Sequence, residues 1–264
     1  ARIVAFAEEQ MVCFVSSCDN LGLPLSLQLQ LQERLQKQYK ETVHVTISST
    51  HTHFAPNPKS AQYCDFLLHK LYEACIHMEL EEGDYEIAYQ REFFDGLGKS
   101  RISHHEAEHI YVQLLNKLKN GERAALMITH NAHPTIHHGD TPYFTAEYPG
   151  YVISQCHNLF PQVAFTFLQG ADGDISTRFT RSSQDWQGMK ELGDRLVAKI
   201  IEMMKQPLHL LPLDHLEYES IEFPLTHSFE EIDISHLPAH LTRREVETIH
   251  IGAQVRENLS HQLD

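Results

Sequence analysis

Four short apolar runs in this chain each break off into a polar, turn-forming signature. MVCFV at 11–15 runs into SSCDN at 16–20, and VHVTI at 43–47 into SSTHTHFAPN at 48–57. AALMI at 124–128 runs into THNAHPT at 129–135, and VAFTFL at 163–168 into QGADGDIS at 169–176. Apolar runs this short, bounded by turn-formers, suit strands buried on both faces. Between them the spacing predicts helices over Leu25 to Lys40, Ala61 to Met78, Tyr148 to Phe160 and Asp185 to Gln206. In the last, Met189, Leu192, Leu196, Val197, Ile200, Ile201 and Met204 form one stripe, which reads as a core-packing face. The chain opens inside a further strand, Arg2 to Phe6. His109 to Leu115, followed by Asn120-Gly121, predicts a β-hairpin returning into Ala124.

Strands alternating with helices define an α/β fold: a mixed, largely parallel β-sheet flanked on both faces by helices. In such sheets ligands bind outside the carboxyl ends of the strands, where all four polar signatures fall. The expected active site therefore lies at the C-terminal ends of the strands. Residues 1–210 read as one catalytic unit and 211–264 as a C-terminal extension of it.

The signatures matter because histidine alone is cheap here, at 20 in 264 residues. His51 and His53, two apart in extended chain, would point the same way and face one metal or one substrate. His133 lies at the end of another strand, before a proline that stiffens the turn. Histidines on separate rigid strand ends are what a zinc site with an open position needs. His130, His137 and His138 read as surface residues or as support for the ligands, and His104, His105 and His109 as solvated loop histidines. Asp172 and Asp174 suit either a cation or a sharp turn, and Asp19 suits orienting a histidine or capping a turn. Ser176 lacks the GxSxG setting of a nucleophile elbow.

Composition narrows the function classes. A formal charge of −15 argues against a nucleic-acid partner or an anionic membrane surface. No apolar stretch approaches the ~20 residues of a membrane-spanning helix. Five cysteines without a CxxC pair favour a reducing compartment over a disulfide framework. The chain starts without a signal peptide or initiating methionine, so secretion stays open.

THTH at 50–53, NAHPT at 131–135, AEYPG at 146–150 and LQGADGDIS at 168–176 resemble, in order and spacing, the neutral/alkaline non-lysosomal ceramidase family. Its N-terminal catalytic domain carries THTHSGP, HPT or HAT, SADYPG and QGxxGDVSP. The resemblance implies that His51 and His133 are zinc ligands. It implies that His53 meets the substrate or the developing oxyanion. It implies that Arg91 is the arginine that reaches the active site, and that Ser176 acts there as nucleophile or as hydrogen-bonding partner. The implied reaction is zinc-assisted hydrolysis of a linear amide in a small N-acyl, lipid-like substrate. A metal-dependent esterase and a non-catalytic metal-binding protein are the alternatives. The chain departs from the family pattern at Phe54 (a small residue in the family), Glu147 (Asp) and Thr177 (Pro). The family also uses a more C-terminal glutamate and tyrosine as ligands, and His227 to Asp264 shows no counterpart.

Overall fold

The computed structural model describes residues 1–101, 110–212 and 215–219. His104, His105, His109 and the stretch from His227 onward lie outside these. In chain order the elements are β1 (Arg2–Glu8), β2 (Met11–Cys18), α1 (Leu25–Gln36), β3 (Thr42–Ser49), α2 (Ala61–Ile76), β4 (Tyr85–Phe93) and β5 (Lys99–Ser100). There follow β6 (Tyr111–Lys119), β7 (Glu122–His130), α3 (Glu147–Leu159), β8 (Ala164–Gln169), β9 (Ile175–Ser176), α4 (Trp186–Met204) and β10 (His209–Leu210). All five apolar runs become strands, and the four helices fall where periodicity predicts them.

The strands form a sheet ordered β1-β2-β3, a second ordered β10-β4-β6-β7-β8, and a short β5-β9 pair. The fold is mixed α/β, but the expectation of a largely parallel sheet does not hold. Only β2–β3 and β7–β8 run parallel, and every other named pairing is antiparallel. Connection length explains this. Two-residue turns join β1 to β2 and β6 to β7, and a turn that short can only reverse the chain. At the second turn Asn120 and Gly121 both take positive φ, 54° and 79°, the conformation an Asn-Gly hairpin needs. The parallel pairs are the two whose strands are linked by a helix, α1 and α3.

Helices cover one face of each sheet rather than both. Leu27, Leu31 and Leu35 of α1 and Leu67, Leu68 and Leu71 of α2 pack against Val12, Phe14, Val43 and Val45. The stripe of α4, with Val152, Ile153 and Cys156 of α3, packs against Leu114, Leu126, Ile128, Phe165 and Phe167. Strand alternation sends Ala125 and Met127 to the other face of β7. There they join Val4, Phe6 and Val15 in a third cluster linking the two sheets.

β3 is the outer strand of its sheet, and α1 satisfies its outward edge. Gln28, Gln32 and Gln36, four residues apart on one helix face, accept from the backbone N–H groups of Ile47, Val45 and Val43 at 3.0, 3.1 and 2.9 Å. No described helix is long and apolar enough to cross a membrane.

Candidate metal centre

The loops after β3 and β7, at the carboxyl ends of strands from the two βαβ units, meet β9 and the turn after it in one cavity of about 750 Å³. His51, His53, His133 and Ser176 line it. The three histidines each offer a ring nitrogen, and these atoms all lie within 4.8 Å of one another. His53 Nε2 and His133 Nε2 are 3.1 Å apart. Two imidazoles bound at 2.0–2.1 Å to one tetrahedral ion hold their nitrogens about 3.3 Å apart. The set therefore fits a metal ion. Burial grades it: His133 is buried, His51 intermediate and His53 exposed.

The THTH, NAHPT, AEYPG and LQGADGDIS stretches, with the residues beside them, hold this geometry by bonding to one another. Thr52 Oγ1 donates to the Thr145 carbonyl, and Thr145 N–H to the Phe54 carbonyl, tying the THTH loop to the segment before α3. The fully buried Tyr148 donates its hydroxyl proton to the Ala132 carbonyl beside His133. His133 N–H donates to the Ile175 carbonyl, and Thr177 Oγ1 donates to the His133 carbonyl. A proline at position 177 would lack that hydroxyl. The extended geometry expected of His51-Thr-His53 is not what brings the rings together, because His51 turns the chain at φ 64°.

The electrostatics favour a neutral His133. Burial holds His133 down to about 2, helped by the charges of Arg101, His51 and His53, so its imidazole keeps an electron pair at neutral pH. Burial pushes the Asp172 carboxyl up to about 6, against the pull of His51 and Arg101. Asp172 Oδ2 lies 3.7 Å from His133 Nδ1 and has no hydrogen-bond partner. An orphaned buried carboxylate oxygen beside clustered imidazoles is a second observation consistent with a cation.

Other expected site residues are placed differently. Arg91 is exposed on β4 with its guanidinium 3.7 Å over the Tyr111 ring, and it does not line the cavity. Alternation accounts for this, since its neighbour Gln90 takes the inward face and donates to the Met203 carbonyl. Arg101, which the sequence did not single out, is buried and lines the cavity just beyond β5. Close backbone approach brings its segment against β9, where a Cβ at Gly98 would sit 2.6 Å from Ile175 Cγ2.

Ser176 is buried on β9, and its Oγ accepts from Arg178 N–H at 3.2 Å. His138 is exposed, but His130 and His137 are not surface residues. His130 is fully buried, with Nδ1 donating to the Tyr111 carbonyl at 2.9 Å. His137 Nδ1 lies 2.9 Å from Glu147 Oε1, and the Glu147 carboxylate also accepts the backbone N–H groups of Ile136 and His137. Phe54 stacks edge-on against His137, with ring centroids 5.8 Å apart.

The class of fold these features define has solved counterparts. A ceramidase complexed with C2 superposes with TM-score 0.63 at 15% identity, over 74% of this chain and 36% of that one. The neutral ceramidase from Pseudomonas aeruginosa superposes with TM-score 0.62 at 16% identity, over 76% and 37%. The chain thus has a ceramidase-like fold and spans little more than a third of the length of those structures. No protein-family model and no curated protein matches its sequence.

Proposed function

We propose that this chain carries the zinc centre of a hydrolase that cleaves a linear amide in an N-acyl, lipid-like substrate. The observation behind it is the convergence of His51, His53 and His133 on one cavity of a ceramidase-like fold. His51 and His133, the less exposed members, hold the ion on rigid supports. The ion would supply Lewis acidity to an amide carbonyl and to the attacking water.

The chain's own groups do the rest. His53, exposed at the cavity, faces the substrate and moves a proton between water and the leaving nitrogen. Arg101, in the place expected of Arg91, steadies the developing oxyanion, and Ser176 Oγ–H orients substrate or water. Phe54 narrows the cavity mouth and sets which acyl groups enter.

The experiment is zinc content and hydrolysis of matched N-acyl amides and O-acyl esters by wild type and three variants. His51→Ala and His133→Ala should lose both zinc and activity. His53→Ala should keep stoichiometric zinc while kcat/KM falls about 10²–10⁴-fold. Full zinc in either of the first two variants rules out the ligand assignment, and a wild type that cleaves esters but no amide rules out the reaction.

A further inference from the structure

We infer that Asp172 is a working part of the metal centre, an anionic positioning residue that acts through His133. The inference rests on the metal-site reading above and goes beyond it, because Asp172 sits in a segment, ADGD, whose side chains a sharp turn alone would explain.

The two nitrogens of His133 face different neighbours. Nε2 points to His53 Nε2 at 3.1 Å, toward the centre of the three imidazoles. Nδ1 points the other way, 3.4 Å from the Asp172 carbonyl oxygen and 3.7 Å from its carboxylate Oδ2. Both neighbours on that side are acceptors only, so Nδ1 carries the hydrogen and Nε2 the electron pair. The tautomer that Asp172 selects is the one that presents a lone pair to an ion among the three rings.

The carboxylate also has a charge reason to be there. Asp172 and His133 side chains are 14% and 6% exposed, and Oδ2 is buried without a hydrogen-bond partner. A turn needs only the backbone of Asp172, whose carbonyl accepts from Ile175 N–H at 3.1 Å. Leaving a carboxylate oxygen buried without a hydrogen bond is costly unless positive charge offsets it; Arg101 supplies part of that charge, and a cation among the imidazoles would supply more. The neutral imidazoles of His51 and His133 around a divalent ion leave its two positive charges uncancelled. A carboxylate one imidazole away cancels part of that charge through Nδ1–H, making Nε2 a more basic ligand.

The test uses the metal-free chain and needs no turnover. Zinc affinity is measured by competition with a chromophoric chelator for wild type, Asp172→Asn and Asp172→Ala. Cobalt-substituted absorption reads the ligand number, and long-range ¹H–¹⁵N spectra read the His133 tautomer. Asp172→Ala should bind zinc 10–100-fold more weakly with an unchanged cobalt spectrum, while the backbone carbonyl of residue 172 keeps the Nδ1–H tautomer, so that the affinity reads the lost carboxylate charge alone. Asp172→Asn, which keeps an acceptor and the side-chain shape, should fall between, and it guards against a folding defect in the alanine variant.

Wild-type affinity in Asp172→Ala overturns the inference, as does a cobalt spectrum showing a lost ligand, which would make Asp172 a direct ligand. A wild type that binds no zinc removes the metal-site reading itself, and this inference with it. Tight zinc in wild type and in Asp172→Ala alike removes only the inference.

Discussion

His130 is the clearest case of one side chain setting a property of the fold. It is fully buried, and desolvation holds its pKa near 4 despite the hydrogen bond to the Tyr111 carbonyl. In the unfolded chain it titrates near 6.5. Its folded pKa lies below its unfolded one, so acid favours the unfolded state, which takes up a proton the native state refuses. The loss starts as pH falls below about 6.5 and stops growing below about 4. Between pH 7 and 5 it should remove about 2 kcal/mol from the unfolding free energy. Urea titrations of metal-free protein at those pH values check this, with His130→Leu expected to show the shallower dependence. An equal slope in the variant would assign the acid sensitivity to other groups, His133 first among them.

At the scale of elements, the glutamine row on α1 closes the exposed edge of β3, the strand that delivers His51. An edge with unpaired N–H groups invites pairing with another chain. Replacing Gln28, Gln32 and Gln36 together by Ala should lower stability by about 1 kcal/mol per position. It should also promote self-association, read by light scattering. A monomer of unchanged stability would mean the row is incidental. Seen from the sequence, LSLQLQLQERLQ at 25–36 announced a helix but not this use, because the partners are backbone groups of a strand met only after folding. The four strand-end signatures were legible because an apolar run breaking into Gly, Asn, Asp and Pro has one local meaning. β4 was not, since its exposed face, with Tyr89, Arg91 and Phe93, blurs the alternation. The pairings of Asp172 with His133 and of Glu147 with His137 depend on docking between segments, which no local pattern encodes. The histidine trio lay between these cases: each ring was visible, and their convergence followed only from topology.

For the whole molecule, metal and fold should be thermodynamically linked. His51 and His133 belong to different sheets' strand ends, so only the native state brings them together. An ion that binds native but not unfolded chain, at about 100 times its Kd, adds about 2.7 kcal/mol of stability. In a chain of this size that raises Tm by about 5–10 °C. Thermal melts with and without zinc should show the rise in wild type and its absence in His51→Ala. An equal rise in both would mean that zinc binds elsewhere.

Two residues of this region, His51 at φ 64° and Glu147 at φ 55°, hold the left-handed backbone that only glycine takes without penalty. Asn120, the third, sits in a hairpin turn where that conformation is ordinary. At His51 and Glu147 a sequence optimised for stability alone would drift to glycine, each step gaining conformational ease. The same two steps would delete an imidazole of the trio and the carboxylate that clamps residues 136 and 137. Selection for robustness and selection for chemistry therefore pull in opposite directions at these two positions.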